Sequence, residues 1–392
     1  MGRSVIFINS VFPCLSETFV FDQYDILKEA GLSMLIVSNN HPASADVHPR
    51  MRAIQSQVDY LCDATLLEIL VAHLSAFWRA PGRYLKSLAR IPSSNDSLRA
   101  TLGQVTGAAL VLHRYCRVNS PLLHAHFTYG AAAVALWAKR IGGVPYVLTL
   151  HGSDVNFDNP PDLISKLGEA DALVSISQFN IDFLHSKYPT LALPKVTVLP
   201  LGVPAKPAPV STAPVTGVLR LITVGRLSNH KAQHILIEAC ALLEDRGVPF
   251  TCRIVGEGPL RPMLESLVAE HKLEGKLQLL GARFHDEVLE FYGDADLFVL
   301  CSVAEGMPIV LMEAMRAGLP IVSTSIGAIP EMVQDAGVLI PPNDSIALAN
   351  VIEEFANGKR DTAHLKKRGA EIVATQFDLR TNHLRLRAFL ES

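Results

Sequence analysis

Residues 297–324 read LFVLCSVAEGMPIVLMEAMRAGLPIVST, and this stretch decides the fold. A short apolar run, Leu297–Leu300, is followed by a loop, by a helix-like segment and by a second apolar run. Pro308 suits the first turn of that helix, because its missing N–H would have no partner there. Gly318 is placed to end the helix in a left-handed conformation. Strand, helix and strand in this order predict a parallel sheet.

The same alternation runs through most of the chain. The pattern predicts a first series of strands at Val5–Ile8, Met34–Val37, Leu122–His126, Tyr146–Leu150, Ala172–Ile176 and Val196–Leu199, with helices at Phe19–Ala30 and Gly130–Ile141. A second series of strands is predicted at Leu219–Val224, Thr251–Val255, Lys276–Leu280, Leu297–Leu300 and Pro320–Thr324, with helices at Ala232–Asp245, Pro259–His271, Pro308–Ala317 and Ser345–Ala356. The fold class is therefore α/β, with two doubly wound Rossmann-like domains.

A stretch with four prolines separates the two series and is typical of a linker. We expect an N-terminal domain at 1–203, the linker at 204–216, a C-terminal domain at 217–377 and a closing helix at 378–392. Two such domains imply a central cleft. Because ligands of open α/β sheets bind beyond the carboxyl ends of the strands, functional residues are expected just after strands.

Composition excludes several classes of protein. The 392 residues carry a formal net charge of −3 and no extended basic block, which argues against nucleic acid as a partner. The six cysteines are scattered without a C-x-x-C pair, which favours small buried side chains in a reducing cytosol over disulfides or zinc. No apolar run has the length of a signal peptide or a membrane span, so a cytoplasmic location is expected.

Two acids stand out in the opening stretch. Glu305 lies on the loop just before a helix start, whose free N–H groups and positive dipole suit phosphate or sugar oxygens. Glu313 lies among apolar helical residues, where a carboxylate is costly unless it accepts hydrogen bonds such as those of ribose hydroxyls. Either acid alone fits a cap or a solvated surface position. The pair in this strand–loop–helix context indicates a functional site.

Two cations follow the first strand of the second series. Arg226 and Lys231 lie before a helix, where two positive charges oppose the helix dipole and need an anion. A diphosphate would satisfy both, although two solvated cations in a loop are the simpler alternative. In sugar transfer from a nucleotide, these side chains would stabilise the charge that develops on the leaving diphosphate, without a metal.

Three histidines close strands of the first series. His124 and His126 share a strand face, and His151 ends the next strand. His124 fits the core, whereas His126 and His151 fit the core or the acceptor and sugar side of the cleft equally well.

The loop after the first strand offers a further candidate contact. Ser16 suits a helix N-cap and Glu17 the first turn, and both are also candidates for binding acceptor or diphosphate. The loop lacks G-x-G-x-x-G, which weakens an NAD-binding interpretation.

Residues 77–90 are basic and aromatic and contain no acid. If a helix starts at Pro81, then Arg83, Lys86 and Arg90 fall on one face. Such a face is typical of a solvated helix or of a segment that lies on an anionic membrane.

The chain resembles bacterial members of glycosyltransferase family 4, which have the GT-B fold. The resemblance spans nearly the whole chain and rests on GRL at 225–227 with Lys231, VGEGP at 255–259, ADLFV at 295–299, the Glu305-x7-Glu313 segment, HGSD at 151–154 and PLGV at 200–203. The SETF sequence at 16–19 is similar to the exopolysaccharide and colanic-acid branch. Two departures are the missing paired glycines of the first loop and Ala232, where glycine is usual after the lysine.

This resemblance implies a role for each matching residue. Arg226 and Lys231 would bind the donor diphosphate, and Glu313 would hold the ribose. Contacts to the donor sugar would come from Glu305 and from the amides of Gly306, Met307, Pro308 and Ile309. The turn at 256–258, which begins with Gly256, and the loop around Arg283–His285 would flank the base, and Gly225 would also bind the donor. The N-terminal domain would be the acceptor side and the C-terminal domain would bind the nucleotide-sugar. Transfer would retain the anomeric configuration, by front-face attack with no protein nucleophile.

The expected function is transfer of a hexose-type sugar from a UDP- or GDP-sugar to a glycan or lipid-linked glycan acceptor in bacterial polysaccharide biosynthesis. The donor is a substrate, and no cofactor or metal is expected. Three alternatives stay open: a GT-B enzyme with a small-molecule acceptor, a nucleotide-sugar epimerase or phosphorylase, and a nucleotide-binding protein without catalysis.

Overall fold

The structure is a computed structural model that describes residues 3–14, 17–43, 49–115, 119–204 and 217–392. It divides into two compact units, the first formed by Met1–Leu199 with His383–Ser392 and the second by Pro200–Asn382. Apart from Pro204, the expected linker at 204–216 lies outside the described residues.

The first unit is built on a seven-stranded parallel sheet. Its strands are β1 (Ser4–Val11), β2 (Met34–Asn40), β3 (Val58–Tyr60), β4 (Pro121–His126), β5 (Tyr146–Leu150), β6 (Ala172–Ser175) and β7 (Lys195–Val198). The spatial order β3-β2-β1-β4-β5-β6-β7 reverses direction between β1 and β4. Such a switch point opens a crevice at the carboxyl ends of the strands.

Helices cover both faces of this sheet. They are α1 (Thr18–Glu29), α2 (Pro49–Arg52), α3 (Leu66–Arg79), α4 (Pro81–Leu88), α5 (Leu98–Tyr115), α6 (Gly130–Gly142), α7 (Ser153–Asn156), α8 (Leu163–Gly168) and α9 (Gln178–Lys187). Helix α6 is rich in alanine and buried almost all round, with Trp137 fully enclosed. Small side chains let α6 lie close to the sheet, and α3, α4 and α5 pack outside it.

The second unit repeats the plan with six parallel strands in the order β10-β9-β8-β11-β12-β13. The strands are β8 (Leu219–Val224), β9 (Phe250–Val255), β10 (Leu277–Gly281), β11 (Leu297–Leu300), β12 (Ile321–Thr324) and β13 (Gly337–Ile340). The helices are α10 (Gln233–Asp245), α11 (Arg261–Glu270), α12 (His285–Gly293), α13 (Ile309–Arg316), α14 (Ile329–Val333), α15 (Ser345–Ala356) and α16 (Thr362–Gln376). Its switch point lies between β8 and β11.

The last helix, α17 (Leu379–Glu391), completes the core of the first unit. Leu386 and Leu390 are buried in one cluster with Phe7 and Tyr24, on the face of the sheet opposite α6. The chain therefore returns to its first unit after finishing the second.

Two strands, β3 and β13, are not predicted from the sequence pattern. β3 has three residues with a charged one, Asp59, in the middle, and β13 is a four-residue edge strand that begins with glycine. Both are too short to show a periodicity of their own.

The cysteines only partly match the expectation. Cys240, Cys252 and Cys301 are buried as expected, but Cys62 is exposed and Cys14 is only partly covered. Cys116 lies outside the described residues. None of the helices in the described parts of the chain is both long and apolar enough to cross a membrane.

The burial of α17 yields a stability prediction. Leu390 is fully buried and Leu384, on the same helix, is 39% exposed. We expect Leu390→Ala to lower the free energy of unfolding of the first unit by about 2–5 kcal/mol, because it removes buried apolar contacts and leaves a cavity. Leu384→Ala is the matched control with a small effect. Urea titration followed by fluorescence measures both, and equal midpoints would contradict the packing of α17.

Candidate active site

Two segments meet at the carboxyl edge of the second unit's sheet. One is the turn after β8, which ends in a short 3₁₀ helix at Asn229–Lys231, and the other is the loop after β11. The backbone N–H of Val303 donates to the carbonyl of His230 at 2.8 Å, so the two segments are joined directly. The parallel register of β8 and β11 brings residues far apart in sequence to this edge.

Lys231 and Glu305 form an ion pair between these two segments. Lys231 Nζ lies 2.5 Å from Glu305 Oε1, and the side chains are 22% and 10% exposed. Ser302 Oγ donates to the same carboxylate oxygen at 2.5 Å, and Thr324 Oγ1 donates to the Ser302 carbonyl at 2.6 Å. The cluster leaves two N–H donors of Lys231 and the second oxygen of Glu305 available to a ligand.

Arg226 lies beside this cluster with its charge unmatched. Its carbonyl accepts a hydrogen bond from Gln233 Nε2 at 3.0 Å, which holds the backbone of the turn. The side chain is exposed, and no acid among the described residues lies within ion-pair distance of it. A guanidinium in this setting suits bidentate binding of phosphate.

The departure at Ala232 has a conformational meaning. Ala232 has a φ of 46°, in the left-handed region, at the N-cap of α10. Glycine occupies that region without strain, whereas a residue with a Cβ pays roughly 1–2 kcal/mol. The turn that presents Lys231 therefore keeps a shape that glycine would adopt more easily.

Glycines line the carboxyl edge where backbones come closest. Gly256, after β9, has a φ of +143°, and a Cβ on it would lie 2.0 Å from the carbonyl oxygen of Gly225. Its N–H donates to the carbonyl of Gly281 at 2.9 Å. Gly225 itself lies against the aliphatic part of Lys231. A side chain at Gly256 would displace the turn that carries Arg226 and Lys231.

The start of α13 differs by one residue from the sequence expectation. Pro308 is the N-cap with extended backbone, and α13 begins at Ile309. Pro308 has no N–H, so the resemblance is wrong where it implies that this amide donates to the donor sugar. Only Gly306, Met307 and Ile309 can donate there. None of these three N–H groups donates to a backbone acceptor among the described residues, as is usual for N–H groups at the start of a helix.

Glu313 is buried, and its donors come from the protein. His285 Nε2 lies 2.8 Å from Oε1, and Tyr292 donates from its hydroxyl to Oε2 at 3.2 Å. The hydrogen bond to Glu313 raises the pKa of His285 above its ordinary 6.5, and burial raises the pKa of Tyr292 well above 10. The His285 side chain is 57% exposed, so it separates Glu313 from solvent only in part.

Arg283 lies on the loop after β10 and pairs with Glu287, with 3.5 Å between Nη1 and Oε1. Both side chains are partly exposed, and the strand before this loop ends at Gly281, whose carbonyl accepts from the Gly256 N–H. His285 lies in the loop around Arg283 that the resemblance places beside the base, but its contact with Glu313 is visible only in three dimensions. Tyr292 has no signal in the sequence, because it is one of several large apolar residues of α12.

The triplet Asp294-Ala295-Asp296 has the D-x-D spacing associated with metal-bound diphosphates. Here it is structural: Asp296 binds Arg220 at 2.7 Å and 2.9 Å, and Asp294 pairs with Arg253 at 3.5 Å. These residues precede β11, at the amino edge of the sheet, away from Lys231 and Glu305.

A separate polar group lies in the first unit. Among the residues that the structure describes, His41, Cys62 and Asp63 are the one set of such side chains whose atoms lie close enough to share a metal ion, and all three are exposed.

The three histidines of the first unit stack at the ends of β4 and β5. His126 Nδ1 lies 3.1 Å from His151 Nε2, and His124 Nε2 lies 2.7 Å from Thr149 Oγ1. Burial lowers the pKa of His124 and His151 to about 3 and that of His126 well below its ordinary value, so all three rings are neutral. His124 lies in the core, as its alternation indicates, and His126 and His151 are also covered.

Asp154 holds the loops around these histidines together. It is fully buried, and its carboxylate accepts from the backbone N–H of Thr128 at 2.8 Å and of His151 at 3.0 Å. Burial raises the pKa of Asp154 to about 6, against the opposing effect of these hydrogen bonds. The acid of the HGSD sequence is thus a positioning residue, a role that the sequence argument misses.

The first loop is only partly described. Ser16 lies outside the described residues, and the N-cap of α1 is Glu17, which the sequence argument placed in the first turn. The Glu17 side chain makes no capping hydrogen bond, and burial raises its pKa to about 7. Phe19 contacts His151 with ring centroids 5.0 Å apart, so the loop lies against the histidine stack.

Two parallel-sheet units with Rossmann-like strand orders define a GT-B protein, which confirms the expected fold class. Similar solved structures include sucrose-phosphate synthase from Thermosynechococcus elongatus, with a TM-score of 0.73 and 19% identity over 99% of this chain and 98% of that one. Anabaena Alr3699/HepE in complex with UDP-glucose has a TM-score of 0.70 and 21% identity, covering 100% and 99%.

Sequence comparison places the chain within this architecture. Residues 27–206 match the model of Glycosyltransferase Family 4, and residues 210–372 match that of Glycosyl transferases group 1. The glycosyltransferase WcaL of Escherichia coli strain K12, named for colanic acid biosynthesis, is 30% identical over 97% of this chain and 98% of its own. The amylovoran biosynthesis glycosyltransferase AmsK of Erwinia amylovora is 29% identical over 68% and 69%. The chain belongs to this group 1/family 4 of glycosyltransferases.

The Glu313 pair yields a pH prediction. Because the folded pKa of His285 is raised, its charge stabilises the protein fully below about pH 6.5, and the contribution is lost as pH rises through the folded pKa. His285→Gln keeps a donor for Glu313 but removes the charge. We expect the difference in Tm between wild type and variant to be largest near pH 6 and to vanish near about pH 9. A difference that stays constant across this range would contradict the assignment.

Proposed function

We propose that the protein transfers a hexose-type sugar, with retention of anomeric configuration, from a UDP- or GDP-sugar to a glycan or lipid-linked glycan acceptor. The observation that carries the proposal is the Lys231–Glu305 pair with the unmatched Arg226 beside it. The names of WcaL and AmsK support a place in exopolysaccharide biosynthesis, and HepE was crystallised with UDP-glucose.

The leaving diphosphate would lie against Arg226 and Lys231. As the sugar–phosphate bond breaks, negative charge builds on the diphosphate. Two nearby cations therefore stabilise the transition state more than the ground state. Glu305 holds Lys231 in place through Oε1. Because the protein supplies both charges, we propose that the reaction needs no metal ion.

The donor sugar would lie at the start of α13. Glu305 Oε2 accepts from a sugar hydroxyl, and the N–H groups of Gly306, Met307 and Ile309 donate to sugar or phosphate oxygens. Glu305 Oε1 already accepts from Lys231 and Ser302, which makes this carboxylate a poor nucleophile. This arrangement favours front-face attack by the acceptor, with the leaving phosphate taking its proton.

The nucleoside would extend from this point along the glycine-lined edge. Gly225 and Gly256 leave room for the ribose and base to approach the backbone, and Arg283 would flank the base. Glu313 would accept from the ribose hydroxyls, with His285 sharing or yielding its hydrogen bond. The choice between uracil and guanine then depends on the Gly256 turn and the Arg283 loop.

The acceptor side is assigned to the first unit. Ser16 and Glu17 in the first loop are proposed to contact the acceptor, with His126 supporting His151 from beneath. Residues 77–90 are proposed to make a peripheral contact with an anionic membrane on its cytoplasmic side, which suits a lipid-linked acceptor.

A nucleotide-sugar epimerase is the second candidate. An epimerase would use the same donor site and need no acceptor. Incubation of the protein with the donor alone therefore distinguishes the two reactions. Release of UDP or GDP with free sugar supports transfer, whereas a changed sugar stereocentre in the recovered donor supports the epimerase.

Lys231→Ala or Glu305→Ala should each lower turnover roughly a hundredfold or more, because leaving-group stabilisation is lost or misplaced. Initial-rate assays of nucleotide release measure this effect. The exposed Lys359 and Glu270 of the same unit, each changed to Ala, are the matched controls. Wild-type rates in both site variants, with the fold intact by circular dichroism, would overturn the site.

A thermal-shift screen over UDP-, GDP- and ADP-sugars tests the donor class. The true donor raises Tm because it binds only the folded state. At a hundred times Kd, this binding adds about 2.7 kcal/mol to the free energy of unfolding. We expect the shift and the turnover to persist in EDTA. Activity that returns only with Mg²⁺ or Mn²⁺ would contradict the proposed metal independence.

A further inference from the structure

Helix α3 presents an apolar face that nothing in the described structure covers. Leu66, Leu70, Leu74 and Trp78 recur every four residues, and we call them, with Leu67 beside them, the leucine stripe. Leu66 is 87% exposed, Leu70 57% and Trp78 77%. The stripe is about 18 Å long at 1.5 Å per residue. Exposed apolar faces of this size mark binding surfaces.

Helix α5 extends this face. Leu98 and Leu102, in its first turns, are also exposed, and α5 packs along α3. The inner side of α3 is bound to its neighbours through His73, whose Nδ1 lies 2.8 Å from the Tyr84 hydroxyl and whose Nε2 lies 3.3 Å from Thr106 Oγ1. The leucines are therefore on the outer side of a fixed helix.

A cluster of positive charge lies at α4, the helix that follows α3 in the chain. We call the cavity lined by Arg83, Lys86, Arg90, Lys139 and Arg140, together with Ser87, Gly143 and Glu169, the cationic pocket. Glu169 pairs with Arg90 and Arg140, and Asp171 pairs with Lys139. Arg83 and Lys86 have no acid within ion-pair distance among the described residues.

The charge pattern identifies the occupant. Helices α3, α4 and α5 contain a single acid, Glu68, and it is bound to Arg114 rather than turned to the stripe. A second copy of the chain across a two-fold axis would bring two cationic pockets towards each other, which costs energy. A surface with an apolar interior and anionic groups at its boundary matches both the leucine stripe and the cationic pocket.

We propose that the leucine stripe inserts into the outer part of an anionic phospholipid bilayer while the cationic pocket binds a lipid phosphate headgroup. Helix α4 starts two residues after α3 ends, so Arg83 and Lys86 follow Trp78 closely in the chain. Tryptophan is a residue type that prefers the membrane interface. The proposed membrane contact of residues 77–90 thus extends to α3, a helix that is not predicted from the sequence. The proposal rests on the proposed function only for the reason why the protein would bind a membrane.

Vesicle flotation of the full chain tests the proposal. Wild type should float with phosphatidylcholine–phosphatidylglycerol vesicles, far less with phosphatidylcholine alone, and less as NaCl rises from about 0.1 M to about 0.5 M. Leu66→Gln, Leu70→Gln and Leu74→Gln together should lower partition about tenfold or more, because buried apolar area drives insertion. Arg83→Gln with Lys86→Gln should lower binding to anionic vesicles only.

Matched variants control for general effects of polarity and charge. Met263, Ile346 and Leu384 are exposed apolar residues elsewhere, and their triple change to Gln should leave flotation unchanged. Lys359→Gln with Lys367→Gln is the charge control.

Fluorescence gives a second readout. The chain has two tryptophans, and Trp137 is buried in the first unit's core, so a blue shift on adding vesicles reports Trp78. Trp78→Phe should abolish the shift.

The outcomes are separable from those of the donor site. Absence of flotation in wild type, or equal flotation of the leucine variant, overturns the proposal even if a UDP- or GDP-sugar raises Tm. A dimer in light scattering that the leucine variant dissociates, without vesicle binding, would show that a second copy covers the stripe instead. Vesicle binding without any donor response would count against the proposed function alone.

Discussion

The ion pair between Lys231 and Glu305 is the contact on which the candidate site depends. It joins the turn after β8 to the loop after β11, two segments 74 residues apart, at the switch point of the sheet. The carboxyl end of each of these two strands supplies one partner of the pair. The pair is mostly buried, so removing one partner leaves the other charge in a poorly solvated place. A change to either residue of the pair therefore alters both the geometry of the site and the order of the two loops.

Much of this arrangement is visible in the sequence, for physical reasons. Buried parallel strands are short β-branched runs, and Leu219–Val224, Leu297–Leu300 and Tyr146–Leu150 have the predicted bounds. Gly318 ends α13 with a φ of +72°, as the helix-stop pattern indicates. Arg226, Lys231 and Glu305 follow predicted strands, and parallel topology brings them to one edge. The approach of Lys231 and Glu305 at one edge of the sheet thus follows from the sequence pattern.

What the sequence does not show are contacts that depend on tertiary packing. The partners of Glu313, the clamp made by Asp154 and the strain at Ala232 involve residue types that are common in loops and carry no periodic signal. The leucine stripe is missed for the opposite reason. A helix with leucines at every fourth position predicts a buried face, and only coordinates show that α3 turns this face outward.

The path of the chain through α17 has a consequence for synthesis of the protein. The residues that complete the hydrophobic core of the first half, Leu386 and Leu390, are translated after the whole second half. The nascent first half must therefore wait, with Phe7 and Tyr24 incompletely covered, until the second half has been translated. Loss of the segment that contains Leu386 and Leu390 would uncover the core of the first half, and such a truncated product would be a natural target for chaperones and proteases.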